Sequence, residues 1–259
     1  MLAQQRQVRI LSELRRSGAV RVADLTELLG VSDMTVRRDL EQLTAEGLAR
    51  KVHGGAVLAA QVAFEPGFAA KSQVAQPTKQ AIAGRAAAMI SPGAAIAVSA
   101  GTTTWTMAQH IAAISELTVV TNSTTVADAI AALDVAHTIS VILTGGVRTP
   151  SAALVGPVAD RAIASMHVDQ VFLGVHGMDA RAGFTTPNLA EATTNRALIA
   201  SAREVIVLAD SSKWGVIGLA DIAPLSAART VVTDDALPAD ALRALSDSVE
   251  NVVTVAAVE

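Results

Sequence analysis

Apolar residues in the first part of the chain recur at helical spacing in three short segments. We predict helices over residues 7–17, 22–29 and 33–46. Gly30 supplies a left-handed stop after the second helix, and Ser32 is a good N-cap for the third. The apolar positions of these helices, which we expect to face a core, are Val8, Ile10, Leu11, Leu14, Val22, Leu25, Leu28, Leu29, Val36, Leu40 and Leu43.

The third predicted helix is polar on the side opposite its apolar stripe. That side carries Thr35, Arg37 and Arg38 near the helix start, and Asp39 is expected to orient one of the two arginines through a salt bridge. A short helix, a tight turn and a helix of this kind form the helix-turn-helix arrangement. Arginine binds guanine O6 and N7 or a phosphate, and the hydroxyls of Ser32 and Thr35 suit phosphate contacts. The segment therefore predicts a DNA-reading module.

A basic hairpin follows the third helix. Residues 48–57 have a hairpin pattern in which Arg50, Lys51 and His53 would form a wing beside the DNA groove. An isolated arginine pair is more often a solvated helix face. Here the cap, the turn and the basic hairpin occur together, which favours DNA binding.

Residues 58–76 interrupt the periodicity and contain a Pro-Gly step, so we interpret them as a linker. We thus predict a winged helix-turn-helix domain at 1–57 and a second domain at 77–259. The predicted strands of the second domain are 95–99, 117–121, 139–144, 170–174, 204–210, 230–233 and 251–255. The predicted helices are 78–90, 103–114, 123–133, 157–166, 189–202 and 238–246. This alternation predicts a larger Rossmann-like α/β domain with a mostly parallel sheet.

Five of these strands are followed by loops rich in glycine and polar residues. In open α/β sheets, ligands bind beyond the carboxyl ends of the strands, and a helix N-terminus suits a phosphate. Each loop alone is more often a plain turn or cap, but their convergence predicts a site for a phosphate-bearing ligand. The candidate residues are Gly101, Thr102, Thr103, Thr104, Asn122, Ser123, Gly145, Gly146, Arg148, His176, Asp179 and Lys213.

Composition narrows the classes of protein. The 259 residues include no cysteine, which excludes disulfides, thiolate metal sites and cysteine nucleophiles. The net charge of −4 divides unevenly, because residues 1–57 hold nine Lys and Arg against seven Asp and Glu, and the rest holds eleven against seventeen. The start of the chain does not resemble a signal peptide, and no apolar run reaches the roughly 18 residues of a membrane span. We expect a cytoplasmic protein with no membrane partner, metal or cofactor.

The first domain resembles the N-terminal domain of the DeoR family of bacterial sugar-metabolism repressors. The resemblance covers residues 6–57, and its matching stretches are Val31-Ser32-Asp33-Met34-Thr35-Val36-Arg37-Arg38-Asp39-Leu40, Leu43, Glu46-Gly47 and His53-Gly54-Gly55-Ala56. Residues 78–255 are similar to the sensor domain of the same family. The matching stretches there are Gly101-Thr102-Thr103, Val119-Val120-Thr121-Asn122-Ser123, Gly145-Gly146, Leu154-Val155-Gly156-Pro157, Asp169-Gln170-Val171-Phe172-Leu173-Gly174 and Ala209-Asp210-Ser211-Ser212-Lys213.

The resemblance implies a sensor domain similar to ribose-5-phosphate isomerase that binds phosphorylated sugars as inducers. The residues it implies at or near the phosphate are Gly101, Thr102, Thr103, Asn122, Gly145 and Lys213. The family usually has Asp two residues before the glycine of the Gly-Thr-Thr stretch, and this chain has Ser99 there. The substitution removes a charge that could grip sugar hydroxyls, so the identity of the sugar does not follow from the resemblance.

The expected function is a transcriptional repressor that a phosphorylated sugar releases from double-stranded operator DNA. A homodimer or homotetramer would match paired half-sites. One alternative is an isomerase-like enzyme, which needs a carboxylate base. The loop at 174–177 holds no carboxylate before Asp179, although His176 could act as a base in principle. The other alternative is a DNA-binding protein that takes no ligand.

Overall fold

The chain forms two compact units, Met1–Gln73 and Val74–Glu259. The structure is a computed structural model and describes residues 2–45, 48–52, 54–58, 67–72, 75–133 and 138–257. The predicted wing residue His53 lies outside the described residues. A five-residue helix, Phe68–Ser72, lies within the stretch that we predicted as a linker.

The first unit contains four helices and three strands among its described residues. They are α1 (Ala3–Ser17), β1 (Ala19–Arg21), α2 (Val22–Leu29), α3 (Asp33–Ala45), β2 (Ala49–Val52), β3 (Gly55–Leu58) and α4 (Phe68–Ser72). The strands form an antiparallel sheet in the order β1-β3-β2. The three predicted helices and the hairpin are confirmed. Strand β1 was not predicted, because three residues are too few to show an alternating pattern.

A small apolar core joins α1, α2, α3 and the sheet. Its buried members are Ile10, Leu14, Val22, Leu25, Leu29, Val36, Leu40, Leu43, Ala49 and Ala56. Val8, which we expected on the core face of α1, is 65% exposed. The reason is geometric: at about 100° per residue, Val8 lies on the opposite side of the helix from Ile10. Leu28 is also exposed, so the core face of α2 is narrower than predicted.

Strand β3 lies so close to β1 that no side chain fits at Gly55. A Cβ atom added at Gly55 would overlap the carbonyl oxygen of Val20 on β1. The backbone amide of Val22 also donates to the carbonyl of Gly54 over 2.9 Å. The hairpin is therefore joined through its backbone to the segment that begins α2.

A buried ion pair fastens α1 to α3. The Arg6 guanidinium donates to both carboxylate oxygens of Asp39, over 2.7 and 3.2 Å, and the Asp39 side chain is 5% exposed. The expectation that Asp39 orients Arg37 or Arg38 is therefore wrong. Asp39 lies on the buried side of α3 with Leu40, whereas both arginines are exposed. The partner is 33 positions away in the chain, which local spacing does not reveal.

The second unit alternates helices with strands, as predicted. Its helices are α5 (Gln76–Ala87), α6 (Thr102–Ile111), α7 (Thr124–Leu133), α8 (Pro157–Ala164), α9 (Leu189–Ser201) and α10 (Ala239–Ser248). Its strands are β4 (Ala95–Val98), β5 (Thr118–Thr121), β6 (Ser140–Leu143), β7 (Val147–Arg148), β8 (Leu154–Val155), β9 (Val168–Gly174), β10 (Gly177–Asp179), β11 (Gly183–Thr186), β12 (Ala202–Leu208), β13 (Ala220–Ala223), β14 (Thr230–Asp234) and β15 (Asn251–Val255).

Seven of these strands form one sheet in the order β15-β14-β12-β9-β4-β5-β6. Every neighbouring pair in it is parallel, and the seven strands are the seven that the apolar runs predicted. The remaining strands form a β7–β8 pair and a small antiparallel sheet in the order β10-β11-β13. Strands β10 and β11 of the small sheet lie between β9 and α9, and β13 joins them from the segment after β12.

Helices cover both faces of the parallel sheet. On one face, α5, α6 and α7 supply buried residues such as Ile82, Met107 and Ile130. On the other face, buried residues of α8, α9 and α10 pack with the small antiparallel sheet. Strand β9 shows the alternation, because Phe172 belongs to the first layer and its neighbours Val171 and Leu173 belong to the second.

We predict that replacing Arg6 alone destabilises the protein, whereas replacing Arg6 and Asp39 together costs little stability. Arg6→Met leaves a buried carboxylate without its cation, so the midpoint of thermal unfolding of the full chain should fall. The double variant Arg6→Met/Asp39→Leu should recover most of that loss, because well-packed apolar residues often replace a buried ion pair at little cost. A double variant that is as unstable as the single variant would contradict this account.

Candidate nucleic-acid interface and effector edge

The third helix begins with a side-chain cap, as predicted. Gly30 ends α2 in the left-handed conformation, with a φ of 63°. The Ser32 hydroxyl accepts from the Thr35 amide over 3.3 Å, and the two hydroxyls lie 2.9 Å apart. Because Ser32 remains exposed, its hydroxyl stays accessible while it caps the helix.

The two arginines of α3 are exposed on the side away from the core. Arg37 pairs with Asp33 one turn earlier, which lowers the pKa of Asp33 through a side-chain hydrogen bond. Among the residues that the structure describes, none pairs with the Arg38 guanidinium. Arg38 is thus an exposed cation of α3 that no described ion pair engages.

The wing carries two described cations, and both are exposed. Arg50 and Lys51 lie on β2, and the Lys51 ammonium pairs with the Glu41 carboxylate of α3 over 2.9 Å. Hydrogen bonding to Lys51 lowers the pKa of Glu41. Exposed pairs of this kind contribute little to stability, so a phosphate can compete for Lys51.

In the second unit, the parallel sheet brings the carboxyl ends of β4, β5, β6, β9 and β12 to one edge, named here the effector edge. Its centre is the point where the chain diverges: β5 follows β4 on one side, and β9 is the neighbour on the other. Ser99 spans this point, because its hydroxyl accepts from the Gly174 amide over 2.9 Å. A crevice at such a point is where open α/β sheets bind ligands.

Asn122 holds three loops of the effector edge together. Its side-chain oxygen accepts from the Ala100 amide over 2.9 Å, and its amide nitrogen donates to the Leu154 carbonyl over 3.1 Å. Ser123 caps α7, because its hydroxyl accepts from the Val126 amide. Both Asn122 and Ser123 are buried, with at most 1% exposure. Their side chains therefore hold the loops in position, whereas we had expected them to face a ligand.

The start of α6 presents backbone amides at this edge. The first intrahelical bond runs from the Trp105 amide to the Gly101 carbonyl over 2.9 Å, so the amides of Thr102 and Thr103 precede it. Both threonines are nearly buried, at 9% and 7% exposure. Thr104 is fully buried and its hydroxyl donates to Gly101, which makes it part of the loop's own structure and not an open ligand contact.

The loop after β6 combines a tight glycine pair with an exposed arginine. A Cβ atom at Gly146 would lie 2.6 Å from the Val155 carbonyl oxygen, so the backbones of this loop and β8 touch. Gly145 adopts a φ of 73°. Arg148, on β7, is exposed. Gly146 therefore shapes the loop, and Arg148 places an exposed guanidinium on the strand that follows it.

The segment after β9 separates two of the candidate residues. His176 is half-buried next to Gly174, and its amide donates to the Thr185 carbonyl. Asp179 lies at the β10–β11 turn, where it accepts from the amides of Ala182 and Arg181, and these bonds lower its pKa. Its carboxylate stabilises the turn, which differs from the expected role at a ligand.

A buried charge cluster that the sequence did not predict lies at the end of β12. Asp210 is 4% exposed, and its carboxylate accepts from the Ser212 hydroxyl and amide. Burial alone would raise the pKa of Asp210, but Lys213, Ser212 and Lys79 outweigh that effect and lower it. Lys79, on α5, is only 3% exposed. A lysine within a predicted helix is usually assigned to the solvent-exposed face. The sequence alone therefore provides no reason to expect that Lys79 is buried.

A separate cavity of about 430 Å³ lies at the opposite, amino-terminal edge of the sheet. Asp169 and Arg203 line it, and their side chains pair over 3.6 Å. Within the described part of the chain, no group of three or more acidic or histidine side chains could hold a metal ion. None of the described helices is both long and apolar enough to cross a membrane.

Comparison with known proteins gives matches over nearly the whole chain. Residues 6–62 match the model of the DeoR-like helix-turn-helix domain, and residues 74–235 match that of the DeoR C-terminal sensor domain. The chain is 35% identical to the uncharacterized HTH-type transcriptional regulator YgbI of Escherichia coli K12 over 95% of both proteins. It is 34% identical to the transcriptional repressor AccR of Agrobacterium fabrum over 89% of both.

A solved structure of ribose 5-phosphate isomerase A from Methanocaldococcus jannaschii is also similar, with 14% identity, a TM-score of 0.40 and 54% of each chain covered. The two domain matches span the helix-turn-helix unit and most of the parallel-sheet unit. The chain belongs to the DeoR family of DNA-binding transcriptional regulators.

Proposed function

We propose that this regulator is a repressor of carbohydrate-metabolism genes that a phosphorylated sugar releases from its operator. The observation that carries the DNA half is Arg38, which is exposed on a capped α3 and with which none of the described residues pairs. Repression is the activity named for the relative AccR. A dimer or tetramer of the chain would present two or more such helices to paired half-sites.

The effector half of the proposal draws on the start of α6. Amides that precede the first intrahelical bond, together with the positive end of the helix dipole, favour an anionic group at Gly101 and Thr102. Lys213 supplies a cation at the same edge, because β12 runs parallel to β4 in the sheet. A phosphate has the charge and the acceptor oxygens to use both.

In this proposal, the buried Lys79 couples the phosphate site to helix α5. Asp210 attracts both Lys213 and Lys79, so a phosphate that engages Lys213 leaves Asp210 more dependent on Lys79. Lys79 lies on α5, the first helix of the second unit. In this proposal, effector binding changes the position of α5 and thereby the arrangement of the DNA-binding units on their half-sites.

The proposal does not include catalysis. The loop at 174–177 carries no carboxylate to act as an enediolate-forming base, and the Asp179 carboxylate is engaged by two turn amides. Incubation with pentose and hexose phosphates should give no turnover. Isomerisation of any one of them at a rate that depends on His176 would replace the regulator-only proposal with an enzymatic one.

We predict that Arg38 and Lys51 contribute differently to the affinity for DNA. Arg38→Ala should weaken binding to a selected operator by about fivefold to 150-fold while sparing random DNA, if Arg38 binds a base. Lys51→Ala should weaken both duplexes alike and reduce the slope of log affinity against log salt by about 1. Fluorescence anisotropy of labelled duplexes at several salt concentrations measures both, with Arg181→Ala in the second unit as the matched control.

We predict that a panel of phosphorylated sugars contains a compound that binds and lowers operator affinity by about fivefold to 150-fold. Trp105 and Trp214 flank the proposed site and are the two tryptophans of the chain, so their fluorescence should change on binding. Lys213→Met should abolish the response, and Arg203→Met, which removes an exposed cation at the opposite edge, should preserve it. A response that survives Lys213→Met would move the site elsewhere.

We predict that Lys79→Met weakens binding of the same sugar phosphate by at least about tenfold, because Asp210 then competes with the ligand for Lys213. The double variant Lys79→Met/Asp210→Asn should restore most of the affinity, since the competing charge is gone. Isothermal titration calorimetry measures each step, and Arg85→Met on the exposed side of α5 is the control. Affinity that stays low in the double variant would reduce Lys79 to a packing role.

A further inference from the structure

An apolar side chain is exposed at the tip of the recognition helix. Met34 is the second residue of α3 and is 76% exposed. The core of the first unit takes its α3 residues from Val36, Leu40 and Leu43, so Met34 contributes nothing to it.

Helical geometry puts Met34 at the middle of the outward face. At about 100° per residue, Arg37 lies about 60° to one side of Met34 and Arg38 about 40° to the other. The buried residues Val36 and Leu40 are turned to the opposite side of the helix. Met34 also precedes both arginines in α3, so it lies nearer to the N-terminal end, toward which the side chains of a helix tilt.

Among the residues of the first turn of α3, Met34 is the exposed apolar one. Ser32 and Thr35 are joined to each other in the cap, and Arg37 is drawn to Asp33. An apolar tip between two cations matches one feature of duplex DNA. The thymine C5-methyl group is the apolar group that a base pair exposes in the major groove, and phosphates line both sides of that groove.

We propose that Met34 contacts a thymine methyl group in each operator half-site and thereby helps to set the operator sequence. The inference rests on the DNA-binding function of the helix-turn-helix unit and specifies what the first turn of α3 recognises. Arg37 and Arg38 then flank this contact and bind neighbouring base edges or phosphates. The methionine side chain is unbranched and polarisable, so it can adjust its rotamer to stay in contact with the methyl group.

The test removes the methyl group from the DNA and the thioether from the protein. The full chain selects its operator from a random duplex pool, and each thymine of a half-site is then replaced in turn by uracil. Burial of one methyl group is worth about 0.8 kcal/mol, which corresponds to about fourfold in affinity. We expect one thymine position at which uracil weakens wild-type binding by about fourfold and at which Met34→Ala binds both duplexes equally.

Two further variants make the result specific. Met34→Leu keeps an apolar side chain and should retain the thymine preference, and Val8→Ala, at an exposed position of α1, should retain it in full. A wild-type protein that is indifferent to uracil at every position would overturn the proposal, as would a Met34→Ala variant with the wild-type preference. A pool that enriches no sequence would overturn the DNA-reading assignment itself, together with the role of Met34.

Discussion

The parallel order of seven strands is the constraint from which the sensor unit follows. Because all of them run in one direction, the loops after β4, β5, β6, β9 and β12 all lie at the same edge. The divergence of the chain at β4 and β9 opens the middle of that edge, and Ser99 and Asn122 bind the loops around it. The first amides of α6 and the half-buried Lys213 lie at this edge, and these are the groups to which our proposal assigns the phosphate.

In the helix-turn-helix unit, the corresponding constraint acts on one helix. Its recognition helix must be held firmly on one side and left bare on the other. The Arg6–Asp39 pair and the packing of Val36 and Leu40 hold the inner side. The outer side leaves Arg38 without a described partner, so under the proposed function Arg38 can bind DNA without first breaking an ion pair.

The sequence predicted the seven-stranded sheet well because its strands are apolar runs of sufficient length, such as β9. It did not predict β7 or β10, since two or three residues show no periodicity. For the sites, local spacing identified the capped helix and the loop glycines. It could not identify the pairing of Asp39 with Arg6 or the burial of Lys79, because both depend on residues far apart in the chain.

The overlap that any side chain at Gly55 would have with Val20 reaches beyond local packing. Together with the bond between Val22 and Gly54, it joins the wing to the start of α2 through backbone contacts. Side-chain substitutions leave such backbone contacts in place, so they change the surface of the unit more readily than its geometry. On such a backbone, exchange of the exposed side chains of α3 is the direct way to alter which DNA sequence the unit prefers.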